Sequence, residues 1–311
     1  MSKVAIVGAG AVGTAIAYAA QIRGVCRELA LFDLNAGKVR AEVLDLNHGM
    51  QFTPMARITG SDDLAVCAGA DVVVLTAGAK QKPGQTRLDL AAANVAMCRE
   101  LVPALVGLAP DALLLVVTNP VDVVTYAALQ FSGLPASRVF GSGTVLDSSR
   151  LRFLIAEHTG VAVQNVHAYI AGEHGDSEVP LWSTATIGGV PVQDWDSGGS
   201  RLDADGRARI HERVVTAAYE IIAGKGATSL AVGLAVSRIL EAVLHDEHRV
   251  LPVTSRLDGV HGLSDVCLSM PSVVGRAGVE SVLATPLSGE EEQQLIASAD
   301  TVRAVARSLG L

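Results

Sequence analysis

Gly172-Glu173-His174-Gly175-Asp176 is the densest polar cluster in an otherwise apolar chain. A histidine flanked by glycine has little packing purpose, and imidazole is the side chain best suited to moving a proton near neutral pH. On this pattern alone, a structural or surface histidine remains an alternative. Gly143-Thr144-Val145-Leu146-Asp147-Ser148-Ser149-Arg150 puts an acid and a guanidinium at the start of a helix-like segment. Read alone, Asp147 could be a plain N-cap and Arg150 a solvated charge. Gln81-Lys82-Pro83-Gly84-Gln85-Thr86-Arg87 is a polar stretch after a strand-like run ending at Thr76. Loops at the carboxyl ends of parallel strands are where ligands bind, so this one reads as a lid or as a passive surface loop. Thr118-Asn119-Pro120 ends another strand at the same edge.

These residues need a frame, and the first half of the chain supplies a regular one. Short β-branched runs recur at Val4 to Val7, Leu29 to Phe32, Asp71 to Thr76 and Leu113 to Thr118, each followed by a turn and a helix-like segment. Runs that do not alternate predict strands buried on both faces, and their repetition predicts an α/β fold with a doubly wound parallel sheet. After about residue 145 the pattern changes. Helices are expected over Ser148 to His158, Asp203 to Lys225 and Ser229 to His245, with a turn at Gly188-Gly189 and strands at Arg249 to Val253 and Val266 to Met270. Ser288 followed by Glu291 predicts a capping box for the last helix. The expected organisation is a Rossmann-type domain over residues 1–144 and an α+β substrate domain over 145–311.

Gly8-Ala9-Gly10-Ala11-Val12-Gly13 follows the first strand and opens a helix. In such a turn the first glycine permits the tight bend, the second lets backbone approach a pyrophosphate, and the third lets helix pack on strand. A second strand ends at Phe32-Asp33, twenty residues after Gly13. Asp33 can accept hydrogen bonds from both ribose hydroxyls and would repel a 2′-phosphate, so the expected cofactor is NAD rather than NADP. The net charge of −8 comes without a basic stripe, which argues against a nucleic-acid partner. Cys26, Cys67, Cys98 and Cys267 are scattered, without a CxxC pair or metal-like spacing, and read as reduced thiols; no metal is expected. Neither a signal-peptide pattern nor an apolar run of membrane-spanning length stands out, so the expectation is a cytoplasmic protein without a membrane partner.

In this order the pieces closely resemble the L-lactate/L-malate dehydrogenase family, bacterial type, over essentially the whole chain. The resemblance rests on Gly8 to Gly13, Asp33, Gln81 to Asp89, Thr118-Asn119-Pro120, Gly143 to Arg150, Gly172 to Asp176 and Lys225-Gly226-Ala227-Thr228. It implies reversible hydride transfer between a 2-hydroxy acid and NAD. His174 would carry the hydroxyl proton, with Asp147 orienting its ring and raising its pKa. Arg150 would hold the substrate carboxylate, and Arg87 would polarise the carbonyl from a closing loop. Asn119 would serve both the reacting oxygen and the nicotinamide ribose. Thr228 would line the substrate pocket, Val232 would face the nicotinamide, and Thr76, Ala77 and Gly78 would line the cofactor cleft. Relatives specific for malate carry arginine where this chain has Gln81, because oxaloacetate brings a second carboxylate. Neutral Gln81 therefore implies L-lactate and pyruvate. A malate enzyme on the same scaffold is one alternative, and a non-catalytic nucleotide-binding structural protein is another. Arg152 and His167 resemble the positions that bind fructose 1,6-bisphosphate between subunits in many relatives, which implies a homotetramer under allosteric control.

Overall fold

A computed structural model describes residues 2–79, 87–197 and 199–311, the side chain of Arg87 excepted. Six parallel strands form its first half: β1 (Lys3–Val7), β2 (Glu28–Phe32), β3 (Arg57–Ser61), β4 (Val72–Leu75), β5 (Leu113–Val116) and β6 (Val139–Gly141). Between and after them run α1 (Ala11–Arg23), α2 (Ala36–His48), α3 (Arg87–Leu108), α4 (Val121–Ser132) and α5 (Val145–Thr159). The non-alternating runs are explained by cover on both faces. Val4 and Ile6 join one core cluster with Ile16, Ala17, Val236 and Leu240. Their neighbours Ala5 and Val7 join a second cluster with Cys98, Val102, Leu105 and Val124. A strand whose successive side chains both meet helices has no reason to carry polar residues.

The second half comprises β7 (Val166–His167), β8 (Ile170–Gly172), β9 (Glu178–Pro180), β10 (Thr186–Ile187), β11 (Val190–Pro191), α6 (Ala204–Lys225), α7 (Leu230–Leu244), β12 (Arg249–Val260), β13 (Leu263–Gly275), β14 (Gly278–Val282) and α8 (Gly289–Ser308). Its larger strands extend the parallel sheet in the order β3-β2-β1-β4-β5-β6-β12-β13-β8-β9, with β14 on β13. The seam is the single pair Thr254↔Gly141 between β12 and β6. α7 returns to the first half and packs on α1, where a Cβ at Gly233 would sit 2.6 Å from the Ala15 carbonyl oxygen. Only glycine allows the two backbones this approach.

The structure lengthens two expected strands, adds one the pattern did not show, and corrects the reading of the apolar runs. The strands expected at Arg249 to Val253 and Val266 to Met270 are parts of one long hairpin, β12–β13, turned at His261-Gly262. Its outer reach carries Arg256, Asp258, Ser264 and Asp265, whose polarity hides the strand pattern. Strand β3 carries no strong strand signal because Arg57, Thr59, Gly60 and Ser61 lie at a sheet edge that is only partly covered. Finally, Leu88–Leu108 is long and apolar enough to cross a membrane by length and composition. Here Cys98, Val102 and Leu105 of that helix are buried against the sheet. The four cysteines are buried free thiols. The capping box at Ser288 and Glu291 is present as expected.

Candidate active site

Strand neighbours diverge at β1, with β2 on one side and β4 on the other. Connections leaving the carboxyl ends of these strands open a crevice at that point. The glycine turn lies there. The N–H of Gly8 donates to the Phe32 carbonyl at 2.7 Å, and Thr76 Oγ1 donates to the Gly8 carbonyl at 2.8 Å. A Cβ at Gly13 would sit 1.9 Å from the Gly8 carbonyl oxygen, so any other residue would push α1 off the turn. Gly10 is the N-cap of α1 and provides no side-chain cap, while a Cβ there would meet nothing within 4 Å. The first turn of α1 has no side-chain cap, so its amides and the positive end of the helix dipole suit a pyrophosphate. Asp33 Oδ2 accepts the Ala9 N–H at 2.9 Å and Oδ1 accepts the Asn35 N–H at 3.0 Å, which ties the end of β2 to the glycine turn. Ala77 and Gly78 continue from β4 on the same edge; the Ala77 carbonyl accepts from Thr118 Oγ1 at 2.7 Å. Val12 and Val232 are both partly buried against the core cluster beneath α1 and α7.

Three ionisable side chains meet where α5 begins beside the loop after β8. Asp147 lies in the first turn of α5, where the N-cap is Thr144, so the reading of Asp147 as an N-cap is corrected. Its side chain turns inward because two cations lie there. Oδ2 is 2.5 Å from His174 Nδ1, and Oδ1 accepts from Arg150 Nη1 at 2.5 Å. Asp147 is 2% exposed, whereas the His174 ring is 26% exposed and the Arg150 side chain 14%. The acid is therefore sealed in while its two partners reach the cleft. Burial disfavours the imidazolium, but the Asp147 charge and hydrogen bond outweigh it and push His174 up to about 9. Burial alone would raise Asp147; the His174 charge and hydrogen bond, with the Arg150 guanidinium, hold it below the usual carboxylate range.

Asn119 is exposed at the end of the chain segment leaving β5, where its carbonyl accepts from Asn94 Nδ2 at 2.7 Å. Thr228 is half-buried in the short link between α6 and α7. Arg87 opens α3, but its side chain and the whole of Gln81 lie outside the described residues. Arg152 Nε donates to the Ala168 carbonyl at 2.8 Å, and its guanidinium lies 4.7 Å from the Tyr169 ring centroid. His167 is exposed on β7, next to that carbonyl.

Several residues that the motif reading passed over support the site. Asn94 Oδ1 accepts the Ala79 N–H at 2.8 Å while its amide holds Asn119, so one side chain spans the two loops of the cleft. Ser298 Oγ accepts the Glu173 N–H at 2.8 Å. Tyr219 of α6 donates to Asp176 at 2.7 Å. Burial and the nearby Asp147 charge raise the Glu178 carboxyl. Each looks like an ordinary polar residue on a helix or strand, and no spacing in the sequence marks its distant partner.

Residues 2–141 match the NAD-binding domain of lactate/malate dehydrogenase, and residues 144–308 match the alpha/beta C-terminal domain of lactate/malate dehydrogenase. The chain belongs to the lactate/malate dehydrogenase family. It is 56% identical over 311 residues to an L-lactate dehydrogenase of Bifidobacterium animalis subsp. lactis, a span of 99% of this chain and 97% of that protein. An L-lactate dehydrogenase of Acetivibrio thermocellus is 47% identical over 100% of this chain and 98% of its own. Among solved structures, the minor L-lactate dehydrogenase of Enterococcus mundtii in a ligands-bound form superposes with a TM-score of 0.95 at 42% identity, covering 99% of this chain and 98% of that one. This lactate/malate dehydrogenase is accordingly an NAD-dependent oxidoreductase built on a Rossmann-type sheet.

Proposed function

We propose that this family member interconverts L-lactate and pyruvate, with His174 as the proton carrier. The observation that carries the chemistry is Asp147 held between His174 Nδ1 and Arg150 Nη1. NAD, when bound, supplies and accepts the hydride. Gly8, Gly10, Val12 and Gly13 would hold its pyrophosphate, Asp33 its adenosine ribose, and Thr76, Ala77, Gly78, Asn119 and Val232 the remainder of the cleft wall. With Nδ1 bound to Asp147, His174 Nε2 is the nitrogen that faces the reacting oxygen. As imidazolium it protonates the pyruvate oxygen; as neutral imidazole it takes the lactate hydroxyl proton. Arg150 anchors the substrate carboxylate, Thr228 lines the pocket, and Arg87 polarises the carbonyl once water is excluded. In this reading the cofactor half runs to residue 144 and the substrate half from 145.

The choice of pyruvate over oxaloacetate rests on Gln81. A second carboxylate facing a neutral amide in a closed pocket would lack its counter-ion, at a cost of several kcal/mol. The full-length relatives described as L-lactate dehydrogenases support the same choice.

The working assembly in this reading is a cytoplasmic homotetramer activated by fructose 1,6-bisphosphate at Arg152 and His167. Exposed large apolar side chains on α1 (Tyr18, Ile22), α5 (Phe153) and α7 (Leu230, Leu234) support burial against other subunits. Millimolar bisphosphate is expected to lower the pyruvate concentration giving half-maximal rate; unchanged saturation and unchanged oligomer size would exclude the site.

One NADH-oxidation assay tests the substrate reading. The wild type is expected to prefer pyruvate to oxaloacetate in kcat/KM by about 100-fold or more, and Gln81→Arg to reverse that preference. A ratio that Gln81→Arg leaves unchanged removes the role given to Gln81, and no oxidation with pyruvate, oxaloacetate or 2-oxobutyrate would favour the non-catalytic alternative.

A further inference from the structure

Asp122 lies in the first turn of α4, three positions after Asn119, where an acid ordinarily complements its own helix dipole. Here its side chain instead accepts hydrogen bonds from two other elements. Oδ2 accepts the His174 backbone N–H at 2.7 Å, and Oδ1 accepts the Thr254 hydroxyl at 2.6 Å. Asp122 is 2% exposed and Thr254 is fully buried, with Thr254 Oγ1 also 3.0 Å from Ser269 Oγ. Thr254 is the β12 residue that pairs with Gly141 at the seam of the sheet. One carboxylate therefore joins three things: the helix that follows Asn119, the seam between the two halves, and the backbone of the proton carrier.

We propose that Asp122 is a positioning residue for the reaction, fixing the His174 backbone and placing a second negative charge at that residue's N–H. The inference rests on His174 being the proton carrier. Asp147 holds the ring but leaves rotation of the supporting backbone free; a charged acceptor on the His174 N–H removes that freedom. The two halves of the cleft are thus registered through the same side chain that sets the imidazole. Around this pair, His174 is faced by Asp147 of α5, itself paired with Arg150, and by Glu178 of β9, and Asp122 by Glu173 and by Cys267 of β13. Burial raises Asp122 to about 6, against the hydrogen bonds from Thr254 and from the His174 backbone, so it is ionised at the alkaline limb where His174 titrates.

Asp122→Asn tests this, read as the pH profile of kcat and kcat/KM with whichever of pyruvate and oxaloacetate the wild type reduces faster, so that an error in substrate leaves the test intact. Reduction of a 2-oxo acid needs the proton that the imidazolium supplies, so activity falls as pH rises through the His174 pKa. Removing the Asp122 charge is expected to lower that alkaline limb by about half a unit or more. kcat is expected to fall about tenfold or more through the loosened backbone. KM should change little, because Arg150 is untouched. A merely structural acid would change melting temperature without moving the limb. If the Asn variant is folded, with kcat within about twofold of wild type and an unmoved limb, the proposal fails. Thr254→Val provides the second reading where Asp122→Asn does not fold. It keeps the charge but removes one anchor, and should lower kcat about threefold; an unchanged kcat there overturns the proposal.

Discussion

Replacing Asp147 with Asn is expected to reduce kcat/KM for pyruvate near neutral pH by about 10²–10⁴-fold. The sign follows from what holds His174 at about 9. Burial pushes the imidazole toward its neutral form, and the Asp147 charge with its 2.5 Å hydrogen bond is the main opposing force. Without that charge the burial remains, so the pKa drops to or below the ordinary value of about 6.5. Pyruvate reduction needs the imidazolium, so its alkaline limb should move down by about two units or more, and the protonated fraction near neutral pH falls to about a quarter or less. Lactate oxidation needs the neutral ring, so its acidic limb should move down by the same amount. A smaller ionised fraction explains only part of the loss; the rest comes from a ring no longer held by a carboxylate. The pH–rate profiles in both directions check this. A limb that stays near 9 in the Asn variant would mean another group supplies the charge, with Asp122 and Glu178 the nearest acids.

Arg150→Lys should act on substrate binding instead. Nη1 of Arg150 is committed to Asp147, while Nε and Nη2 make no hydrogen bond among the described residues. That edge of the guanidinium is a two-pronged donor fixed in direction by the buried acid behind it. Lysine retains the charge but offers a point donor that cannot contact Asp147 and both carboxylate oxygens in one plane. The expected outcome is a rise of about 10²-fold or more in KM for pyruvate, equivalent to losing about 2–3 kcal/mol of charge-assisted hydrogen bonding, with a smaller change in kcat. Steady-state kinetics over pyruvate at saturating NADH check it, and a KM within about threefold of wild type would remove Arg150 from the carboxylate site.

What could be read from the chain alone was whatever is local. The glycine turn needs three glycines within six residues, Asp33 stands at the end of the next strand, and Ser288 caps its own helix three residues on. The two-sided burial of β1 likewise shows as consecutive apolar residues. Such features follow from backbone sterics, helix termini and strand periodicity, which act over a few positions, so they appear as spacing. The proton-transfer group is of another kind. His174 meets Asp147 across 27 positions and Asp122 across 52, and Asp122 meets Thr254 across 132. Nothing in the local sequence of α4 separates Asp122 from an ordinary first-turn acid, and nothing around Asp147 separates it from an N-cap. The sheet order decides both. By continuing the sheet from β6 across the seam to β12, β13 and β8, it sets the starts of α4 and α5 beside the loop after β8. Only in that arrangement are the two carboxylates sealed from water with His174 as their common partner, Asp147 at the ring and Asp122 at the backbone N–H, and that burial strengthens the charges that raise its proton affinity.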